Sequence, residues 1–491
     1  MRVHLLGVSG AGMGSLAVLL GAAGHDVSGS DVEFNPPIGP ALEAAGVRCF
    51  RGWDPAHLDA VNPELVVVGN VITARNPEAG AVESRGIPRT SMSRALRDQF
   101  LVGRRPLVVA GTHGKTTTAS MCAHVLARSD REPGWFIGGV PRDLPAGAAI
   151  GSTKRRLTAG GAERAPFVVE GDEYDDVYWS KRPKFLDYIG VGPDDVAILT
   201  SVEQDHIDIY PSEAAYEEAF RAFVRAVPAG GLLVVDAHAA RARAIAVEES
   251  RARVVFYALE GDDTGDVTPT WLGAVAAPDP GANTQFDLFA GGMSCGRYAL
   301  RVPGAHNVRN AVATIAACAE GFGVDVRGTR AILATFEGVK RRQELLGTPD
   351  GVRVYDDFAH HPTAVAETLA GLRARHPSGV LWAVFEPRSA TACRALHQEA
   401  YAHAFDAADR VLFAPLGRTN IPEGERLDLA RLVREIRGEK AAAAPSVDAI
   451  IRVLTNEVRA GDTIAVLSNG AFGGLHARLL ADLGARARSG G

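Results

Sequence analysis

Cysteine is sparse in this chain of 491 residues. Its five cysteines, Cys49, Cys122, Cys295, Cys318 and Cys393, are odd in number and widely scattered, and they form no Cys-x-x-Cys pair. That argues against a disulfide framework and against a zinc site. Buried free thiols in a reducing cytosol are expected instead. Uninterrupted apolar runs are all too short to span a bilayer. The N-terminus enters a strand, Val3 to Gly7, without the charged-then-apolar layout of a secretory signal. A cytoplasmic protein with no membrane partner is therefore expected. Charge of one sign is also lacking, since the net charge is only −6. This gives no support to nucleic-acid binding or to a basic membrane-facing surface. Internal repeats and low-complexity tracts are absent from the sequence. Lysine is rare too: most basic residues are arginine, and no lysine occurs between Lys184 and Lys340.

What is present reads as about three domains, because the chain is too long for one hydrophobic core. Apolar strand-like runs alternate with helical periodicity, which predicts an α/β protein with parallel sheets. The expected units are a Rossmann-like N-terminal domain over 1–104, a central P-loop ATPase-type domain over 105–335 and a Rossmann-like C-terminal domain over 336–491. Gly103 to Pro106 is a plausible linker.

The chain is organised around Leu107 to Met121. An apolar run, Leu107 to Ala110, feeds Gly111-Thr112-His113-Gly114-Lys115-Thr116-Thr117, and an apolar-periodic helix follows. Such a loop wraps backbone N–H groups around a polyphosphate at the positive end of a helix. Lys115 would reach the β- and γ-phosphates, and Thr116 would offer its hydroxyl to Mg²⁺. The generic motif has a glycine five residues before the Gly-Lys pair, where this chain has Val109. The scarcity of lysine makes the one at 115 more informative.

In the first segment, Val3 to Leu6 leads into a turn with Gly7, Gly10, Gly12, Met13 and Gly14, and a helix is expected over Ser15 to Ala23. Val27 to Ser30 forms a second strand ending in Asp31. This βαβ unit suits a diphosphate at its glycine turn and a ribose or base at the acid. A structural glycine turn accounts for the pattern equally well. Leu65 to Val68 delivers Gly69 and Asn70 at a strand end, where ligands of open α/β sheets sit.

In the second segment, Arg142 to Ala165 reads as an exposed loop. Phe167 to Val169 delivers Glu170, Asp172, Glu173 and Asp175, and Val196 to Thr200 delivers Glu203, Asp205 and His206. Acids and an imidazole beside a phosphate loop are what Mg²⁺-nucleotide chemistry needs, although single acids also serve as helix caps. Asn307 and Asn310 precede an apolar helical stretch, Ala311 to Ala319. They either meet an adenine edge, or Asn307 caps the helix. In the third segment, strands end in Asp356-Asp357-Phe358-Ala359-His360-His361, in Glu386-Pro387-Arg388-Ser389 and in Ser468-Asn469-Gly470. Lys340-Arg341-Arg342 either clamps phosphate or forms a solvated basic turn. The tail, Arg486 to Gly491, is expected to fray.

In this order the motifs are similar to those of a known family. Gly111 to Thr117, Glu170-Gly171-Asp172-Glu173, Glu203-Gln204-Asp205-His206, His306-Asn307 to Asn310, Arg341-Arg342 and Asp357 to His360 resemble the landmarks of the Mur ligases of bacterial cell-wall synthesis. The resemblance covers nearly the whole chain and accounts for Val109. It implies one domain for a UDP-sugar, one for ATP and one for an incoming amine. It implies ATP and Mg²⁺ as cofactors and an acyl-phosphate route to a peptide bond. By position, Gly111, Thr112, His113, Gly114, Lys115, Thr116 and Thr117 would bind ATP, with Asn307 and Asn310 at the adenine and Asp357 at the ribose. Arg342 would meet a phosphate and His360 would lie near the nucleotide. Thr116, Glu173 and His206 would serve Mg²⁺, and Lys115, Glu173, His206 and Arg342 would carry the chemistry. Gly7, Gly10, Gly12, Met13, Ser30, Asp31, Gly69 and Asn70 would bind the UDP-sugar.

Several family members carry a carbamylated lysine a few helical turns past the His206 position. This chain has Arg221 in that region, and guanidinium does not form the carbamate. The departure points to the branch that acts on UDP-N-acetylmuramate itself. Members of that branch add either L-alanine or the murein tripeptide L-alanyl-γ-D-glutamyl-meso-diaminopimelate. Gly138 to Pro141, Glu173-Tyr174-Asp175, Lys181 to Phe185, Val339 to Arg342, Glu386 to Ser389 and Ser468 to His476 resemble the tripeptide-adding, wall-recycling members. Arg388 would meet a carboxylate of that peptide, or it makes a structural ion pair. The expected partners are UDP-N-acetylmuramate and a murein peptide (or L-alanine), for a monomer or weak dimer. The different-class alternative is a non-catalytic nucleotide-binding sensor on the same scaffold.

Overall fold

The computed structural model describes residues 1–158, 161–277, 279, 282–418 and 420–489. Its strands Val196–Leu199, Leu232–Asp236, Leu381–Phe385 and Thr463–Leu467 are buried at every residue. They lack an apolar–polar alternation because helices cover both faces of a parallel sheet. Three main sheets result.

The first is fully parallel, in the order Arg48–Arg51, Asp26–Asp31, Arg2–Leu6, Leu65–Val68, Arg89–Ser91. The chain reverses its direction of winding between Arg2–Leu6 and Leu65–Val68, and a crevice opens at such a point. The Gly7 turn and Gly69-Asn70 lie at that edge. The second sheet has ten strands. At its centre Arg105–Ala110 lies between Val196–Leu199 and Pro166–Glu170, all parallel. Winding reverses beside Arg105–Ala110, so the phosphate loop and the acids after Leu199 share one sheet edge. The third sheet has six strands, parallel except for the edge strand Glu344–Gly347.

The seams between these units differ in chemistry. Apolar packing is continuous from the first sheet into the second, through Met92, Leu96 and Phe100 to Phe136, Phe167 and Phe185. The third sheet keeps its own two apolar clusters, one on each face. It meets the middle unit through polar contacts. Thr363 Oγ1 donates to Glu203 Oε2 at 2.7 Å, and Arg375 donates to the Arg301 carbonyl at 2.7 Å. Polar interfaces of this kind are the ones across which domains move.

Several local expectations are corrected. The first helix is Ala11–Ala22, so Gly12, Met13 and Gly14 are helical rather than part of the turn. The run Arg142 to Ala165 contains the strands Ala148–Ala149, Arg156–Thr158 and Gly161–Glu163, the last two paired antiparallel. Ala159 and Gly160 lie outside the described residues. The tail is helical over Leu475–Ser489. Arg486 holds it down, donating to Asp350 Oδ2 at 2.7 Å and to the Thr455 carbonyl at 2.6 Å, while Gly490 and Gly491 lie outside the described residues. Of the cysteines, Cys122, Cys318 and Cys393 are buried, but Cys49 is exposed and Cys295 half-buried. No described helix is long and apolar enough to cross a membrane.

The middle unit is held by the helix Glu213–Ala226, capped where the Ser212 hydroxyl accepts from the Ala215 N–H. Its inward face carries Tyr216, Phe220 and Phe223. Phe223 is fully buried and meets the Phe185 ring edge-on at 5.0 Å between centroids. Phe223→Ala is expected to cost about 3–5 kcal/mol, read as a shift of the urea unfolding midpoint.

Candidate active site

A cleft of about 770 Å³ lies where the middle and C-terminal sheets present their strand ends. Thr112 to Thr117, Glu173, His206, Asn307, Asn310, Arg342, Asp357 and His360 all line it. The eight residues expected to hold a UDP-sugar lie outside it, in the first domain.

The phosphate loop is short because Val109 is still inside the strand Arg105–Ala110. The turn needs glycine at two places. Gly111 has φ 131°, and a Cβ there would collide with Thr200 Oγ1. Gly114 has φ 76°, and its Cβ would stand 2.6 Å from Asn310 Oδ1. The loop is pinned from behind. The Thr112 N–H donates to the Ser201 carbonyl at 3.0 Å and the His113 N–H to Ser201 Oγ at 3.0 Å. The helix Lys115–Arg128 then starts with its free N–H groups at the cleft.

Lys115 Nζ donates to the carbonyls of Gly111 at 2.6 Å and Thr112 at 3.3 Å, and to Glu173 Oε1 at 2.9 Å. Glu173 is 1 % exposed, and His206 Nε2 stands 3.1 Å from the same oxygen. Burial alone would raise the Glu173 carboxyl, but Lys115 and His206 outweigh it, and the group lies below its usual range. Burial likewise opposes charge on His206, and the bond to Glu173 wins, so the imidazole is raised.

The expected trio of Thr116, Glu173 and His206 is thus divided. Thr116 Oγ1 donates to Glu170 Oε1 at 2.6 Å, and Glu170 also accepts from the Gly138 N–H at 2.7 Å. Glu170 is a site residue that the sequence placed among the acids beside the loop without giving it a role of its own. Its signal was its place as the last residue of the strand Pro166–Glu170, in register with Val109. Arg342 reaches towards Thr116 Oγ1 at 3.4 Å, while Arg341 is spent on the Ser468 and Gly470 carbonyls at 2.7 Å each.

At the far end, Gly304 starts the helix Ala305–Phe322, so Asn307 does not cap it. Its amide donates to the Pro303 carbonyl at 2.7 Å and to Gln343 Oε1 at 3.0 Å, and Asn310 donates to Asn307 Oδ1 at 3.3 Å. Gln343, missing from the sequence-based set, has φ 48° and carried no motif of its own. Asp357 is buried and accepts from the N–H groups of Gln343 and Ala359, each at 2.7 Å. Burial raises its carboxyl. His360 Nε2 lies 3.6 Å from Asp205 Oδ2.

In the first domain, Gly7 has φ 85° and donates to the Ser30 carbonyl at 2.9 Å. Asp31 accepts from the Ser9 N–H at 2.8 Å. Gly10 precedes the first helix, and Gly69 and Asn70 sit across the crevice. Of the other members of the expected set, Gly12 is half-buried against a neighbouring side chain, and Met13 and Ser30 are buried. A Cβ at Gly12 would press on Met92 Sδ at 2.9 Å, Met13 is core, and the buried Ser30 hydroxyl faces His4 Nε2 at 3.1 Å. The geometry therefore gives Gly12 and Met13 packing roles that the glycine spacing did not separate from binding.

Arg221 does not line the cleft. It donates to Glu217, Glu248 and Glu249 at 2.8, 2.6 and 3.0 Å. Arg388 borders a second cavity of about 240 Å³ shared with Tyr174, His206, Ser389, Arg418 and Asn469. Its ion pair with Glu386 is loose, at 3.6 Å, and its side chain is half exposed. Side chains at Gly470 or Gly417 would crowd it.

Taken together, a polyphosphate cradle, two carboxylates, an imidazole and an arginine can bring a nucleotide and a divalent ion to one point. Comparison with known proteins identifies the family. Three family models match in succession: "Mur ligase family, catalytic domain" over residues 2–101, "Mur ligase middle domain" over 109–318 and "Mur ligase, glutamate ligase domain" over 341–470. The chain is 35 % identical over 490 residues to the UDP-N-acetylmuramate–L-alanyl-γ-D-glutamyl-meso-2,6-diaminoheptandioate ligase of Escherichia coli K12, covering 100 % of both chains. This chain belongs to the Mur ligase family. A Roseiflexus castenholzii UDP-N-acetylmuramate–L-alanine ligase is also 35 % identical to this Mur ligase, over 474 residues and 92 % of each. A crystal structure of a murein peptide ligase from Psychrobacter arcticus 273-4 superposes with a TM-score of 0.71 at 33 % identity, covering 99 % of each chain.

One wall of the ligase cleft carries a buried charge cluster. Arg309 donates to Asp236 at 3.0 Å and to Asp262 at 2.7 and 2.9 Å. Burial outweighs Arg309 at Asp236 and pushes its carboxyl up from 3.8 to about 6. The folded state then holds this proton more tightly than the unfolded chain. The associated stability is present at pH below 3.8 and is lost as pH rises through about 6. In thermal melts across that window, Asp236→Asn is expected to flatten the fall in stability.

Proposed function

We propose that this Mur ligase uses ATP to join the carboxylate of UDP-N-acetylmuramate to the murein tripeptide L-alanyl-γ-D-glutamyl-meso-diaminopimelate. The reading rests on the basic cavity beside His206, together with end-to-end similarity to ligases named for that reaction. L-Alanine offers one carboxylate and one amine, whereas the tripeptide has three carboxylates and two amines. Two arginines, Arg388 and Arg418, with one acid, Asp208, on the amine-side cavity suit the acceptor with more carboxylates better. L-Alanine as the acceptor is the competing reading, because relatives named for it are about as similar.

The proposed course follows from the residues. The loop backbone from Gly111 to Gly114 and the first turn of its helix cradle the polyphosphate. Lys115 leaves Glu173 for the γ-phosphoryl group, and Arg342 flanks it across Thr116. Asn307 and Asn310 hold the adenine end, Asp357 the ribose and His360 the nearby edge. Phosphoryl transfer to the substrate carboxylate releases ADP and leaves an acyl phosphate. The amine, placed by Arg388, attacks the acyl carbon; phosphate departs and the amide remains. The first-domain crevice at Gly7, Gly10, Asp31, Gly69 and Asn70 takes the UDP group.

The donor set fits Mg²⁺. Thr116, Glu170 and Glu173 offer oxygen donors, His206 would join them only after giving up its proton, and buried Glu173 Oε2 has no hydrogen-bond partner although Lys115 stands 2.9 Å away. Bound there, the ion would neutralise charge on the transferring phosphoryl group.

Phosphate release with ATP, Mg²⁺ and UDP-N-acetylmuramate should require the tripeptide. Release with L-alanine alone would move the protein to the competing reaction. Lys115→Ala, folded by circular dichroism, should lose about 1,000-fold in kcat; retained turnover would sink the assignment, and a folded, ATP-binding wild type without turnover would favour a sensor. Arg388→Ala should raise KM for the tripeptide by about 10- to 100-fold, the worth of a charged hydrogen bond, with Km for ATP unchanged.

A further inference from the structure

Three side chains outside the proposed Mg²⁺ set converge on the seam between the middle and C-terminal domains. His113 belongs to the phosphate loop, Glu203 follows the strand Val196–Leu199, and His361 precedes the helix Pro362–Arg375. One ligating atom from each lies within 4.8 Å of the other two. His113 Nε2 is 3.3 Å from Glu203 Oε2, and His361 Nδ1 is 3.7 Å from the same oxygen. Neither approach makes a hydrogen bond. His113 Nε2 and both ring nitrogens of His361 have no hydrogen-bond partner. His361 is 7 % exposed, so water does not readily supply one. The Thr363 hydroxyl fixes the Glu203 carboxylate from outside, as supporting residues do around metal ligands.

A buried imidazole with both nitrogens unsatisfied is costly. Two imidazoles and a carboxylate sharing a cation would remove that cost. Imidazole favours borderline transition ions, whereas Mg²⁺ takes oxygen ligands. Ligands at 2.0–2.1 Å around a tetrahedral ion stand about 3.3 Å from one another, close to the two separations measured to Glu203. Two histidines and one glutamate also leave a fourth position open, as in catalytic zinc sites.

We propose that His113, Glu203 and His361 form a binding site for a divalent transition metal ion of the zinc class, separate from the Mg²⁺ set. Its ligands come from the phosphate loop, the middle domain and the C-terminal domain. An ion there ties the C-terminal domain to the phosphate loop across an otherwise polar seam.

The test is calorimetric titration of Zn²⁺ into the full chain in excess Mg²⁺, with Co²⁺ absorption as a second readout. One Zn²⁺ should bind per chain. His361→Gln and Glu203→Gln should each weaken binding by at least about tenfold and abolish the Co²⁺ ligand-field bands. His206→Gln should leave both intact. Should His361→Gln fail to fold, His113→Gln makes the same test. The proposal is overturned if wild type binds no Zn²⁺, if folded variants bind it as well as wild type, or if only His206→Gln removes it.

Discussion

The ion pair between Lys115 and Glu173 is the interaction on which the rest of the site depends. The ammonium is held at 2.6 Å by a carbonyl of its own loop and at 2.9 Å by a carboxylate that is 1 % exposed. Neither partner can be removed cheaply, because a lone buried charge costs several kcal/mol. The pair therefore keeps the loop helix and the Glu170–Glu173 segment together across adjacent parallel strands. It also leaves the lysine ready to exchange one anion for another. Gly111 and Gly114 make this possible, since only residues without a Cβ let the loop fold tightly over Thr200 and Asn310.

The second constraint is the contrast between seams. The first and middle domains share apolar packing from Met92 to Phe185, and parting them would expose it to water. The C-terminal domain meets the middle one through Thr363, Arg375, His361 and His397, the last with Nε2 3.3 Å from the Gln204 carbonyl, groups that water can satisfy when the domains part. Of the three units, the C-terminal one is therefore the cheapest to move. The proposed amine pocket borders His206 and draws Arg388, Arg418 and Asn469 from that domain. Closing it would bring the proposed pocket against the phosphate site and, on the proposed course, exclude water from the acyl phosphate.

Much of this was legible in the sequence because parallel sheets write themselves plainly. Buried strands such as Val196–Leu199 are continuous apolar runs, and the polar residues after them must lie at one sheet edge. That placed Lys115, Glu173 and His206 at one sheet edge and Asp357 and His360 at another, while their meeting in one cleft with Asn307 came from the family resemblance alone. Partners within the cleft were less legible. Glu170 and Glu173 lie three residues apart in one motif, and only the chain's path shows that Thr116 touches the first and Lys115 the second. In the first domain, glycine spacing reads alike whether a glycine admits a ligand or a neighbouring Met92, so Gly12 and Met13 were grouped with a binding loop. The end of the chain misled for a related reason. Arg486 looks solvated until Asp350, 136 residues earlier, is brought beside it.

The two carboxylates differ in what surrounds them, and on the proposed course that difference would couple nucleotide to metal. Glu170 has neutral donors, the Thr116 hydroxyl and the Gly138 N–H, and loses little when the cleft fills. Glu173 has Lys115 and His206. If Lys115 turns to a phosphate, as proposed, Glu173 keeps the imidazole and the distant Tyr216 hydroxyl, both on Oε1, and Oε2 lacks a hydrogen bond. A buried carboxylate in that position must protonate or gain a cation, and the raised His206 is not sufficient for two oxygens. A divalent ion arriving with the polyphosphate meets the need at the moment it appears. On the proposed course the site would accept ATP and its metal together, because the lysine that moves to one would leave the charge that the other offsets.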